Sequence, residues 1–186
     1  MVRAFAPEPV DLETIERLVR LAQHAPSAGF TQAGSFVLVT EPALRRRVAD
    51  VAGEAWYISV GHAPFVSQAP AQIVVCTSEA RYRERYREPD KARWHVPDRP
   101  WPVPYWYVDA GASLMLLLLG AVDVGLAAAF VGVRDPHDLR RILDIPSEVL
   151  PIGIVLLGHP AADKRTLSAR RGRRPLADVL HRERWS

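Results

Sequence analysis

The sequence predicts a single α+β domain, with helices arranged around a central mixed sheet, and three observations predict it. Residues 108–133, VDAGASLMLLLLGAVDVGLAAAFVGV, are the most apolar run in the chain and read as a core helix followed by a short strand or loop. Short apolar runs with β-branched residues recur at residues 36–40 (FVLVT), 71–77 (AQIVVCT) and 152–157 (IGIVLL), with helical segments between them. No repeat or linker divides the 186 residues. A chain of this length buries roughly 70% of its unfolded surface in one core, without disulfide or metal staples. Residues 161–186 form a C-terminal arm of the same domain, 1–186.

Taken in order, residues 1–10 are an irregular, proline-broken start. Asp11 is an N-cap for the helix DLETIERLVRLAQHA, whose Leu12, Ile15, Leu18, Val19 and Ala22 share a face, and Pro26 stops it. The small-residue loop PSAGFTQAGS leads into the strand at 36–40. Pro42 then sits in the first turn of a second helix, PALRRRVADVAGEA. Residues 56–68 are either helix or loop. The run at 71–77 is a buried strand that needs neighbours on both faces. Residues 81–107 are rich in proline and aromatics and show no period, so they read as a long loop; Trp56, Trp94, Trp101 and Trp106, within or just before it, argue against disorder. Beyond the central run, Asp135-Pro136 caps a helix reaching about Leu143, and the strand at 152–157 ends in Gly158-His159-Pro160.

The central run carries only two charges, Asp109 and Asp123, with about a dozen uncharged residues between them. That is short of the roughly 20 that a bilayer crossing needs, so a buried helix is expected rather than a membrane span. Ala110, Gly111, Ala112, Ser113, Gly120 and Ala121 admit a close neighbour, while the residues at 114–119 are apolar on every side. Such a helix must be covered all round. The cover comes either from this chain or from a second copy of it.

The formal charge is +3 and the pI about 9.3, with arginines clustered at 45–47, 81–87 and 165–184. Such clusters suit phosphate or nucleic acid, or are simply solvated cations, and the first two are read as solvated. The single Cys76 lies within an apolar strand, forms no internal disulfide and fits core packing in a reducing, cytoplasmic setting. No export signal opens the chain. The six histidines lack metal-ligand spacing, and neither a nucleophile elbow nor a phosphate-binding P-loop occurs. An enzyme of this composition would lean on a cofactor. The loop Pro26-Ser27-Ala28-Gly29-Phe30-Thr31-Gln32 stands out because small residues let a flat ligand approach the backbone and Gly29 permits positive φ; the plain alternative is a helix-to-strand turn.

This loop and the strand after it, PSAGFTQAGSFVLV, resemble the Pro-Ser and Asn-x-Gln-Pro-Trp region of the FMN-dependent nitroreductase family. RAFAPEPVD is similar to the family's opening segment, DAGASLMLLLLGAVDVGLAAAFVG to its central helix and flavin-side turn, IGIVLLGHP to its last core strand, and RRGRRPLADVLHRERW to its C-terminal arm, all in the family's order. The resemblance implies a mostly antiparallel central sheet flanked by helices, with the long central helix at the core of a homodimer. It also implies FMN as cofactor and NAD(P)H as reductant. Pro26, Ser27, Ala28 and Gly29 would line the flavin ring and Gln32 its polar edge. Val131 and Gly132 would present backbone near the reactive flavin nitrogen N5, which leaves no side chain needed as catalyst. Arg3 would lie near the ring or ribityl chain, and Arg171, Arg173 and Arg174 would face the phosphate.

Two departures from the family pattern mark a divergent subgroup: Phe30 stands where Asn is common, and Ala33-Gly34 where Pro-Trp is common. Phe30, Trp101, Tyr105 and Trp106 are candidates for the wall against a flat acceptor, a nitroaromatic, quinone or enone, the three ring residues at 101–106 serving equally well as cover for a dimer core. A second implied reading is an FMN-dependent dehydrogenase of a cyclic dipeptide or thiazoline intermediate, and a third a non-catalytic flavin-binding dimer. Neither nucleic acid nor membrane is an expected partner. The resemblance further implies arginines and a serine just before Arg3-Ala4-Phe5, where Met1 and Val2 stand. Either the true start lies upstream or the C-terminal arm alone clamps the phosphate, in which case FMN is held weakly.

Overall fold

The helix expected after Asp11 forms over Leu12–Gln23 (α1) in the computed structural model, which describes residues 2–92, 100–163 and 170–185. The Asp11 carboxylate accepts from the Thr14 N–H at 2.9 Å and satisfies one of the helix's orphan donors. Strand β1 covers Ser35–Val39, and Glu41 caps α2, Pro42–Val51, by accepting from the N–H groups of Ala43 and Leu44. Helix α2 ends earlier than its composition suggests because Gly53 turns left-handed at φ 80°, after which a separate α3, Glu54–Ser59, runs into the segment left ambiguous by the sequence. Strand β2, Ala71–Thr77, matches its expected span.

Residues 81–107 contain more regular structure than their composition suggests. Ser78 caps α4, Glu79–Arg85; α5 follows at Pro89–Ala92, and the central helix α6 already begins at Tyr105 and runs to Asp123. Trp94 lies outside the described residues. The chain continues with β3 at Ala127–Val131, α7 at Pro136–Ile142 under the predicted Asp135 cap, and β4 at Leu150–Gly158.

The strands lie in the order β1-β2-β4-β3 and every pairing is antiparallel, as the family resemblance implies; the mixed sheet of the general α+β reading gives way to it. All of β2 is buried, as its apolar run requires. Ile73 and Val75 turn to one face and pack under α1 and α6; Val74 and Cys76 turn to the other, under α2 and α7. The sheet thus separates two apolar layers, and alternation along β2 serves both.

Helix α6 is apolar all round, yet only one stripe is used. Trp106, Ala110, Ser113, Leu117, Gly120 and Ala121 are buried against the body of the chain. Gly120 permits this closeness, since a Cβ there would lie 2.7 Å from the Leu21 side chain and 3.0 Å from that of Leu18 on α1. On the opposite stripe Val108, Met115, Leu119 and Val122 stay exposed. By length and composition alone α6 could cross a membrane, in contrast to the shorter span counted between its aspartates; its inner stripe is nonetheless core to the sheet.

Candidate functional site

The loop after α1 adopts a shape its residues do not prefer. Ala28–Phe30 make a 3-10 turn in which Gly29 has φ 64°, Phe30 φ 56° and, just beyond, Gln32 φ 52°. For a residue with a Cβ the left-handed region costs roughly 1–2 kcal/mol, so Phe30 and Gln32 stay there only because other contacts hold them. Those contacts are specific. Ser27 Oγ accepts from the Gln32 N–H at 3.0 Å, and Thr31 Oγ1 donates to the Ala28 carbonyl at 2.6 Å. From outside the loop, an Asp109 carboxylate oxygen accepts from the Ala28 N–H at 2.7 Å, and Arg85 Nε donates to the Gly29 carbonyl at 2.9 Å. Gly29 is needed twice, for its φ and because a Cβ there would lie 2.8 Å from the Tyr86 ring.

Asp109 also accepts from the Tyr82 hydroxyl at 2.5 Å. Burial, together with this bond to a carboxylate, raises the Tyr82 phenol well above its ordinary range, so it stays protonated and remains a donor. Behind the loop lies a cavity of about 130 Å³ lined in part by Ser27, Gln32, Thr77, Tyr82, Asp109 and Ser113. Beside it rings meet edge to face: Trp101 is 4.6 Å from Tyr86, 6.3 Å from Tyr82 and 6.0 Å from Tyr105 between centroids. Of the four candidates for an acceptor wall, Phe30 is 73% exposed, Tyr105 is exposed and Trp101 half-buried, whereas Trp106 is packed into the core with Ala33 and Tyr82.

The other predicted flavin contacts lie elsewhere. Val131 is the buried end of β3, and the exposed Gly132 after it has open space where a Cβ would point. It borders a depression of about 280 Å³ with Gly53, Trp56, Tyr57, Val133 and Arg134. Arg3 is held beside the sheet by the Val2 N–H to Ala128 carbonyl bond and the Phe5 to Pro160 bridge. Its own N–H donates to Asp163 at 2.7 Å, and its guanidinium lies 5.7 Å over the Phe65 ring, which in turn meets Tyr57 at 5.1 Å. Arg171, Arg173 and Arg174 are exposed on the C-terminal arm; Arg174 donates to the Asp178 carbonyl, while Arg171 and Arg173 make no ion pair among the described residues.

One chain therefore does not bring the predicted set together. Pro26, Ser27 and Gln32 border the cavity on the α1–α6 side of the sheet, Gly132 borders the depression on the α2–α3 side, and no lining residue is shared. Each half suits part of a flat, polar-edged, phosphate-bearing group: Ser27 and Gln32 line the cavity, the backbone is approachable at Gly132, and the arginines are open to solvent. Sequence reasoning missed Tyr82, Arg85, Tyr86 and Asp109 around the loop, and Trp56, Tyr57 and Arg134 at the depression. A signal for Asp109 was present, since a carboxylate within an apolar helix must find donors.

Comparison with known proteins agrees with this architecture. The model of the nitroreductase family matches residues 1–159. An FMN reductase [NAD(P)H] of Bacillus subtilis is 26% identical over 99% of this chain and 70% of its own length, and a putative NADH dehydrogenase/NAD(P)H nitroreductase of Archaeoglobus fulgidus is 26% identical over 99% and 92%. Among solved structures, B. megaterium NfrA2 superposes with a TM-score of 0.76 at 25% identity, covering 100% of this chain and 71% of that one. The Vibrio harveyi NADPH:FMN oxidoreductase complexed with NAD+, at 22% identity and a TM-score of 0.75 over 100% of this chain and 74% of its own, shares the fold. The chain belongs to the nitroreductase family.

Proposed function

We propose that this family member, an FMN-dependent NAD(P)H oxidoreductase, works as a homodimer with two flavin sites, each assembled from both chains, and reduces a flat acceptor such as a nitroaromatic, quinone or enone. The observation that carries the reading is the division of the predicted contacts between two separate surfaces, beside a central helix with one apolar stripe uncovered. A second copy related by a two-fold axis supplies both the missing cover and the missing half of the site.

In this reading FMN, held by the residues below, would supply the redox chemistry, hydride exchange between NAD(P)H and the acceptor. The chain's residues bind and orient. Pro26, Ser27, Ala28, Gly29 and Gln32 of one chain lie along the flavin ring, and Val131 and Gly132 of the other offer backbone groups. Arg3 places a cation near the ring system and Arg171, Arg173 and Arg174 neutralise the phosphate. Phe30, Trp101 and Tyr105 border the space left for the acceptor and keep bulk water from it, with Trp106 backing them. The cytoplasm, where NAD(P)H is available, is the compartment this activity calls for.

The direct test is to load the purified protein with FMN and add NADH or NADPH without oxygen. Bleaching of the flavin band, followed by its return on adding a quinone or nitroaromatic, is the expected result. Failure to reconstitute with FMN overturns the reading, and a bound flavin that neither nucleotide bleaches removes the reductase direction.

A further inference from the structure

Among the described residues, Arg85 and Asp109 bring side-chain hydrogen bonds to this loop from the rest of the fold, at Gly29 and Ala28. The side-chain bonds between Ser27 and Gln32 and between Thr31 and Ala28, like the backbone bonds from Phe30 to Ser27 and from Thr31 to Ala28, are internal and move with the loop. Arg85 divides its guanidinium among the Gly29 carbonyl, Glu88 and Asp90, near the surface. Asp109 differs. It projects from the first half of α6, the helix that is core to the sheet, and one of its oxygens takes both the Ala28 N–H and the Tyr82 hydroxyl. Tyr82 is 1% exposed and comes from α4, so the carboxylate's direction is set by a second element.

We propose that Asp109 is a positioning residue for the cofactor loop: through Ala28 it holds residues 27–32 in the shape presented to the flavin ring, with Tyr82 fixing the carboxylate's orientation. The inference rests on the reading of this loop as the ring-side half of the flavin site. A carboxylate suits the task because both partners are donors, and a charge-assisted bond to a peptide N–H is stronger than a neutral one. Asparagine has the same shape but presents an amide that must turn its oxygen towards two donors at once, so Asp109→Asn separates charge from volume. The loop acts on the ring and not on the phosphate, which gives the proposal a signature of its own.

The experiment uses the full chain as wild type, Asp109→Asn, Asp109→Ala and Tyr82→Phe. FMN and riboflavin are titrated by fluorescence quenching, and hydrogen exchange of the flavin-free proteins is read at residues 28–32 and in β2 and β4. The expected result is that Asp109→Ala weakens FMN and riboflavin equally, by about 10- to 100-fold for the loss of one charge-assisted bond. Asp109→Asn and Tyr82→Phe give smaller losses in the same sense. Exchange at 28–32 rises while the strands stay protected. Unchanged affinity for both flavins in Asp109→Ala and Asp109→Asn overturns the proposal. So does exchange that rises throughout the chain in both variants, which would mark Asp109 as a general stabiliser. If the wild type takes up no flavin, the proposed function fails, and exchange at 28–32 still decides whether Asp109 holds the loop.

Discussion

Replacing Leu119 by glutamate separates the assembly from the fold. Leu119 is 60% exposed in the single chain, on the stripe of α6 shared with Met115 at 49% and Val122 at 66%. Fully burying a leucine side chain contributes roughly 1.5–3 kcal/mol, so covering the exposed share of Leu119 contributes about 1–2 kcal/mol per chain and about 2–4 kcal/mol across a two-fold interface. A carboxylate left unpaired in that interface adds a penalty of roughly 3–5 kcal/mol. Even half the sum, about 2.5–4.5 kcal/mol, weakens dimerisation by roughly 60- to 1,600-fold at about 1.4 kcal/mol per tenfold. Sedimentation velocity over a micromolar series, followed at both the protein and the flavin band, should show wild type as a flavin-carrying dimer and Leu119→Glu as a flavin-poor monomer. Its far-UV spectrum and single-chain melting should change little, because the side chain is already in water. A wild-type monomer that retains FMN, or a Leu119→Glu dimer as tight as wild type, refutes the reasoning.

Leu117, two residues away and 0% exposed, gives the opposite result: Leu117→Ala should cost about 2–5 kcal/mol in urea unfolding as a core cavity while leaving the association of the folded chain intact. Arg171→Ala with Arg173→Ala should weaken FMN by about ten- to a hundredfold and riboflavin hardly at all, since only FMN carries the phosphate and a charge-assisted bond is worth roughly 1.5–3 kcal/mol; equal losses for the two flavins, read by titration, would count against the assignment. Burial pushes the Cys76 thiol up from 9.0 to about 12. Between those values the unfolded chain ionises while the folded chain keeps its proton, so the stabilisation is complete below pH 9 and is lost as pH rises. Relative to Cys76→Ala, wild type should lose roughly 1.4 kcal/mol per pH unit above about 9, and a constant difference in urea midpoints across that range would contradict it.

Much of the fold is legible because it rests on local rules. Asp11 and Asp135 sit where helix N-termini need an acceptor, and their carboxylates accept those N–H groups. The apolar run at 71–77 demanded cover on both faces, and the central strand has it. Helix α4 was obscured because prolines and aromatics surround it, while its own signal, Ser78 as cap with Glu79 in the first turn, spans only one short helix. Strand direction was legible only through the family resemblance: a buried apolar run is the same sequence in a parallel and an antiparallel sheet, and only the connections decide. On composition, Leu117 and Leu119 are equivalent occupants of the apolar run; the inner stripe is chosen by Gly120, which lets α1 approach one side of the helix and not the other.

The two charges of that run explain why one helix carries so much of the proposed site. Asp123 closes α6 in solvent, whereas Asp109, in the helix's first half, turns to Ala28 and Tyr82. A single rigid element therefore bears the loop anchor at Asp109, the core contact at Leu117 and the uncovered apolar stripe at Met115, Leu119 and Val122. In the proposed dimer, a shift of α6 against its partner is also a shift of the atom that holds Ala28, because the two are joined through the same helix. Cover for the apolar stripe and the shape of the flavin loop thus become one requirement, which is why flavin should be lost with the dimer in Leu119→Glu although Leu119 lines neither the cavity behind the loop nor the depression at Gly132.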